Sequence, residues 1–398
     1  MNQLGSVEKG AIHHLSTYGL ALFLFLTPFE YPLADLMAVS PLRLVGLFAM
    51  GLAIVDIWRQ RIVKLDYRVI YVVLWLLYGL ISYVWALDRT RFQSYYSIYF
   101  NNALMFLLFS MISYTKYEAE LLKKAMIFGV GALLLYMTVI PDAVVYSSYQ
   151  HRLTLKAGAG TLDQNYLAAL MLVSFGLVFH KLCNEEQKRK HRIWSILFSG
   201  AIAYYIFLTG SRSGLIALVL IVMLSINTSW KTRLYVGIPV VLLILIVIPF
   251  AARFLPENLL ERFSLSALTG KEAESGTRLL IWARALKSIK GFKWVFGLGV
   301  GASQTAVGNV LEAGKDMAIH NHHLAMLAEV GVMGFLFINI PIFGMCVELW
   351  KKDKGCAVAF SGILLMAIFL DVVTAKFFWS AMILMSVLCT ANRYRSDT

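Results

Sequence analysis

Stretches of about twenty mostly apolar residues, each long enough to cross a hydrocarbon core, recur along almost the whole chain. In lipid every backbone N–H and C=O must be satisfied internally, so spanning segments are helices or closed barrels, and uninterrupted apolar runs of this length select helices. Twelve spans are read on this criterion, near residues 14 to 31, 41 to 58, 67 to 87, 92 to 113, 119 to 140, 163 to 181, 192 to 209, 212 to 227, 233 to 251, 322 to 349, 355 to 372 and 375 to 391. The balance of residue types agrees, because 59% are hydrophobic and only 15% charged, where a soluble surface needs roughly 25%. The expected fold class is an all-α polytopic membrane protein. Its expected divisions are a bundle of nine spans over 1–251, a large external loop over 252–321, and a bundle of three spans with a tail over 322–398. The first apolar run lacks a small-residue cleavage site and continues into further spans, so no cleavable signal peptide is expected.

The formal charge of +13 would suggest nucleic acid in a soluble chain, but in a membrane protein the cations first have to be sorted by side. Twenty of the Lys and Arg residues fall on connections or ends of one side, among them Arg59, Arg68, Lys123, Arg189 and Lys352, and seven on the short connections of the other. Another nine lie in the long segment 252–320, which exceeds the length that rule governs. Both termini are therefore expected in the cytoplasm, and no nucleic-acid partner is implied. Cys183, Cys346, Cys356 and Cys389 fall at or near helix ends expected on the cytoplasmic side, where no structural disulfide is expected. There is no CxxC, no HExxH, no Walker-type glycine loop and no internal repeat.

Three polar positions stand out on the external face. Arg212 lies in Thr209-Gly210-Ser211-Arg212-Ser213-Gly214, a very tight turn between two spans. A boundary arginine often serves only as a snorkelling anchor, yet this turn would hold the guanidinium at the mouth of the bundle. Arg278 opens a pattern with Trp282, Ala285, Leu286 and Ile289 at helical spacing, which predicts an amphipathic helix on the membrane surface or over the bundle. Arg284, Lys287, Lys290 and Lys293 read as solvated charges on that helix, able to attract anionic lipid. The third position is His320-Asn321-His322-His323. No carboxylate or cysteine stands beside it at ligand spacing, which disfavours metal. An imidazole that titrates near neutrality suits a general base.

These pieces, taken in order, resemble the bacterial O-antigen ligase and polymerase family. The resemblance rests on His320-Asn321 followed by Gly331 and Gly334, on Asp163-Gln164-Asn165-Tyr166-Leu167-Ala168 opening a span, and on the Gly210–Gly214 turn. It also rests on Arg278 with Trp282 and on Gly297-Leu298-Gly299-Val300-Gly301, and it covers about residues 160 to 340. Small hydroxyl residues follow the second glycine in the family, whereas Phe335 and Leu336 follow it here. The resemblance implies a GT-C-like membrane fold and a metal-independent, inverting transfer without cofactor. The reaction would move a glycan from an undecaprenyl pyrophosphate carrier to a sugar hydroxyl of lipid A-core, at the periplasmic face of the bacterial inner membrane. It also implies His320 as the catalytic base and Arg212 and Arg278 as the essential arginines, with Lys376 as a recurring basic residue between the last two spans.

The chemistry suits this set, because two guanidinium forks, those of Arg212 and Arg278, bind a pyrophosphate bidentately and stay protonated, with Lys376 expected to assist in holding the donor. His322 and His323 are alternative bases, Asn321 accompanies them, and Glu329 is an intramembrane carboxylate that reads either as a site residue or as a buried packing group. Competing readings are a polymerase using the same donor, a protein O-glycosylating oligosaccharyltransferase, and a lipid or solute transporter. The last would be expected to show repeat symmetry and midplane charges, and neither is apparent.

Overall fold

The computed structural model describes residues 14–34, 40–60, 65–146, 152–157, 160–226, 274–310 and 318–391. The expected span at 233 to 251 and much of the expected external loop lie outside the described residues. The described chain forms α1 (Leu15–Leu26), α2 (Pro41–Gln60), α3 (Tyr67–Ile81), α4 (Arg89–Ser110), α5 (Lys116–Val139), α6 (Gln164–Asn184), α7 (Arg189–Leu208) and α8 (Arg212–Ser225). It continues with α9 (Glu274–Ser288), α10 (Lys293–Phe296), α11 (Ser303–Val310), α12 (His322–Lys352), α13 (Lys354–Met366) and α14 (Lys376–Ala391).

Six helices are long and apolar enough to cross a membrane, namely α2, α3 with its terminal 3-10 turn, α5, α6, α7 and α12. The apolar helices α1, α8, α13 and α14 are shorter. Helix α4 has 22 residues but carries Arg89, Arg91, Gln93, Asn101 and Asn102, and this polarity keeps it out of the first group. The chain is therefore a multi-pass helical membrane protein, with six clear spans among its described residues where the apolar runs led us to expect twelve.

Short polar residues set where the helices begin. Asp66, Asp88, Asp163, Ser211, Asn321 and Asp353 each accept a backbone N–H of the first turn, and Thr115 forms a reciprocal capping box with Glu118. Each such cap contributes about 1 kcal/mol. Close crossings rest on small residues, as expected where lipid removes the hydrophobic drive between helices. A Cβ added at Gly19 would lie 2.9 Å from the Cα of Ala49, and one at Gly176 would run into Ala359.

Contacts between helix ends sort the polar residues into two sets. At one end Glu118 takes the backbone N–H of His14 (2.9 Å) and the hydroxyl of Thr17 (3.0 Å), Asp56 takes the N–H of Ser16 (2.7 Å), and Lys123 pairs with Asp353 (3.1 Å). At the other end lie the termini of α6, α8, α12 and α14 that carry the candidate site, together with α9 to α11.

One segment departs from the all-α expectation. Between Pro141 and Asp163 the chain forms a three-stranded antiparallel sheet, β1 (Val144–Tyr146), β2 (Leu153–Ala157) and β3 (Gly160–Thr161), with Val145 opposite Thr154 and Lys156 opposite Thr161. The segment is too short and polar to span. Its Val, Leu and Thr residues suit a pleated surface, and strand pairing satisfies the backbone once Pro141 has ended the α-helical run.

Helix α12 is broken at Gly331, whose φ of 59° and ψ of −170° lie in a region essentially restricted to glycine. Gly297, with φ 77° and ψ −173°, sits against it in the same conformation. A Cβ on Gly297 would strike the Glu329 carbonyl, and one on Gly331 would strike that of Val295. The resulting clasp lets Leu298 N donate to Ala328 O and Gly299 N to Glu329 O, both at 2.8 Å, and fastens the segment after α10 to α12. Gly331→Ala is therefore expected to cost at least about 1–3 kcal/mol from backbone strain alone, read as a lowered melting temperature of the detergent-solubilised protein. Gly51→Ala, with open space around its Cα, serves as the control and is expected to leave melting unchanged or raise it slightly. Equal melting of the two variants would contradict the clasp.

Candidate active site

The tight turn that carries Arg212 is built as its residues require. Helix α7 ends at Leu208, Gly210 adopts a φ of 61°, and Ser211 caps α8 by accepting Gly214 N at 3.1 Å. Gly214 faces Ala168 of α6, where a Cβ would approach to 2.8 Å. Arg212 is thus the first residue of α8 and half-buried. There the positive end of the helix dipole adds to the guanidinium charge.

Arg278 lies on α9, which packs over the bundle through Ile281, Ala285, Ile289 and Trp282 against Val307, Ile319, Ala325 and Ala328. The buried stripe differs from the expected one at one position, since Ile281 takes part and Leu286 is exposed. Lys287, Lys290 and Lys293 are exposed, in keeping with solvated charges, and Arg284 is half-buried. Trp282, one turn after Arg278, donates from Nε1 to the carbonyl of Ile319 at 3.1 Å. This bond joins the helix of Arg278 to the residue immediately before His320.

His320 has a φ of 50°, the one positive φ outside glycine among the described residues. The conformation follows from its neighbours, because Ile319 is held by Trp282 and Asn321 caps α12 by accepting Leu324 N at 3.0 Å. Asn321 is therefore a helix cap. His322 is almost fully buried beside Phe378, and its N–H donates to Ala367 O and Leu370 O, both at 2.9 Å. Its Nδ1 lies 4.0 Å from Asp371 Oδ1, too long for a hydrogen bond, and neither ring nitrogen has a partner among the described residues. His323 packs its ring edge to face against His322, and its Nδ1 also lacks a partner there.

Glu329 is fully buried and accepts from Tyr99 Oη at 3.0 Å and Ser303 Oγ at 2.6 Å. It lies seven residues into α12 from His322, about 10 Å along the axis at 1.5 Å per residue. These partners tie it to α4 and to the start of α11, beside the Gly297–Gly301 loop. Lys376 Nζ pairs with Glu30 Oε1 at 2.6 Å, with both side chains about one-fifth exposed.

Helix α6 bridges these segments. Asn165 Oδ1 accepts Ser211 Oγ at 2.8 Å, beside Arg212, while the hydroxyl of Tyr166 donates to the carbonyl of Asp371, whose carboxylate faces His322. Nothing in the spacing or motifs of the sequence gives a role to Asp371, Glu30 or Arg152, or sets Asn165 and Tyr166 apart as individual site residues. The Asp163–Ala168 motif did flag the last two, and Asp371 could have been found as a carboxylate closing a span. Among the described residues no three His, Cys, Asp or Glu side chains cluster so as to hold a metal ion.

These features define a multi-pass membrane protein with Arg212 at the start of α8, Arg278 on an amphipathic helix packed against the start of α12, and His320 just before α12. Residues 197–338, about a third of the chain, match the family model described as O-Antigen ligase. The matched segment contains Arg212, Arg278, His320, Glu329, Gly331 and Gly334, and leaves Lys376 outside. No curated protein matches the chain.

Proposed function

We propose that the chain is an O-antigen ligase that transfers a glycan from undecaprenyl pyrophosphate to a sugar hydroxyl of lipid A-core, at the periplasmic face of the bacterial inner membrane. The observation that carries this reading is the Trp282 to Ile319 hydrogen bond within the matched segment, since it couples the helix of a candidate pyrophosphate ligand, Arg278, to the backbone of the candidate base, His320. The bonds from Asn165 to Ser211 and from Tyr166 to Asp371 support the same grouping from the Arg212 side.

In the proposed reaction His320 takes the proton of the acceptor hydroxyl as its oxygen bonds to the anomeric carbon. The bond from that carbon to the pyrophosphate oxygen breaks, its electron pair leaves with undecaprenyl pyrophosphate, and the anomeric configuration inverts. The leaving group is already acidic, so no acid is needed. Arg212 and Arg278 compensate the developing charge, and such preplaced charge in a site partly screened from water contributes several kcal/mol. Lys376 serves here as a local neutraliser of Glu30, which keeps a carboxylate from repelling the anionic donor. The residues at 252–321 form the external loop of this scheme, both termini face the cytoplasm, and the fold is GT-C-like.

A lipopolysaccharide gel of a deletion strain, paired with transfer by the purified protein from lipid-linked donor to lipid A-core with and without chelator, tests the reading. Loss of the whole ladder with carrier-linked polymer accumulating, and transfer indifferent to chelator, is the expected result. Core bearing a single repeat would make the chain a polymerase, and an unchanged ladder without transfer would leave a transporter.

A further inference from the structure

We infer that Arg152 is a positioning residue for Arg212, fixing the Thr209–Gly214 turn through a guanidinium shared between the end of α7 and the first turn of α6. Arg152 stands just before β2, in the sheet that the apolar runs gave no reason to expect, and only 7% of its surface is exposed. A buried guanidinium is costly unless its N–H groups find acceptors, and here they find two on different helices. Nε donates to the Thr209 carbonyl at 2.9 Å, and Nη2 donates to Asn165 Oδ1 at 3.3 Å.

Both acceptors lead to Arg212. Thr209 caps the end of α7 and opens the turn, and its carbonyl is one of those a helix end leaves unpaired. The cation there also complements the negative end of the α7 dipole. Asn165 Oδ1 accepts Ser211 Oγ at 2.8 Å as well, and that oxygen in turn caps Gly214 N at 3.1 Å. The Asn165 amide thus receives one hydrogen bond from the sheet side and one from the turn. Backbone bonds complete the frame, with Ser211 N reaching Thr209 Oγ1 at 3.2 Å and Gly210 N reaching Phe207 O at 2.9 Å. The angle at which α8 leaves α7, and hence the position of its first side chain, follows from the guanidinium that ties Thr209 to Asn165. A misplacement of about 1 Å in a group that binds a reacting phosphate costs on the order of 100-fold in rate.

The inference rests on Arg212 acting on the donor pyrophosphate, and a double-mutant cycle on the purified full chain separates the two. Rates of transfer from lipid-linked donor to lipid A-core are measured for Arg152→Ala in the parent and in an Arg212→Lys background. Arg152→Ala is expected to lose about tenfold or more in kcat in the parent, yet less than about threefold where Arg212 is already lysine, because residues that act as a unit are non-additive. Equal losses in both backgrounds, or full activity of Arg152→Ala, overturn the assignment. Should Arg152→Ala not yield a monodisperse protein, Asn165→Ala, which removes only the shared acceptor, takes its place under the same criteria. Full activity of Arg212→Lys and Arg212→Ala with Arg152 intact would sink the reading of Arg212 itself, and the positioning role with it.

Discussion

His320→Ala is expected to abolish glycan transfer while the protein inserts and folds as before. The proposed reaction assigns the acceptor proton to this imidazole, and a positioned general base contributes about 10²- to 10⁴-fold in rate. The backbone offers an independent handle on this assignment. A non-glycine residue at φ 50° carries strain of about 1–3 kcal/mol, maintained here because Trp282 holds Ile319 and Asn321 caps the following helix. His320→Gly removes the strain together with the imidazole. That variant should melt no lower than the parent, and by conformational relief alone somewhat higher, yet be as inactive as His320→Ala. A purely structural His320 predicts the reverse pattern, with activity surviving wherever stability does. Near-normal ligation by either variant would remove His320 from the mechanism and turn attention to His322, buried against Asp371.

Much of the architecture was legible because its determinants are local. The apolar runs at α2, α3, α5, α6, α7 and α12 mark the helices long enough to span, and Asp66, Thr115, Asp163, Ser211 and Asn321 mark where helices begin by the hydrogen bonds they offer to orphan N–H groups. The tight turn before Arg212 and the amphipathic helix after Arg278 were likewise written in spacing. What was not legible depends on partners distant in sequence. Gly331 sits in an apolar run and reads there as a tolerated helical glycine. Its positive φ is required only because Gly297 comes to lie against it. Arg152 counts as an external charge until Thr209 and Asn165 surround it, and Lys376 counts as a cation open to donor until Glu30, from the opposite end of the chain, pairs with it. The sheet at 144–161 escaped because its strands are too short for alternation to be distinguished from loop. Sequence spacing thus marks the long helices, while the contacts that orient the candidate residues come from elements the apolar pattern leaves unmarked.

Arg278→Lys is expected to lower transfer by about 10- to 100-fold, although it keeps the positive charge. An arginine that only anchors α9 at a surface, or only attracts anionic lipid, is replaceable by lysine at little cost, since an ammonium serves a diffuse field as well. An arginine that grips a pyrophosphate is not, because the planar fork supplies two parallel N–H donors that an ammonium cannot reproduce. The location favours the second case. Helix α9 is held against the start of α12 by Ile281 and Ala285, with Ile289 just past its end, and by the Trp282 bond to Ile319, so Arg278 has a fixed base from which to aim. Arg284→Lys, on the same helix, supplies the comparison and is expected to transfer at the parental rate. The form of the loss also matters. If the fork engages the charge that develops as the pyrophosphate departs, kcat falls along with kcat/KM. If it binds donor and transition state equally, KM for the donor rises and kcat stays. The proposed mechanism requires the first, and an Arg278→Lys variant with unchanged kcat at saturating donor would confine Arg278 to donor capture and leave Arg212 alone to carry the leaving-group charge.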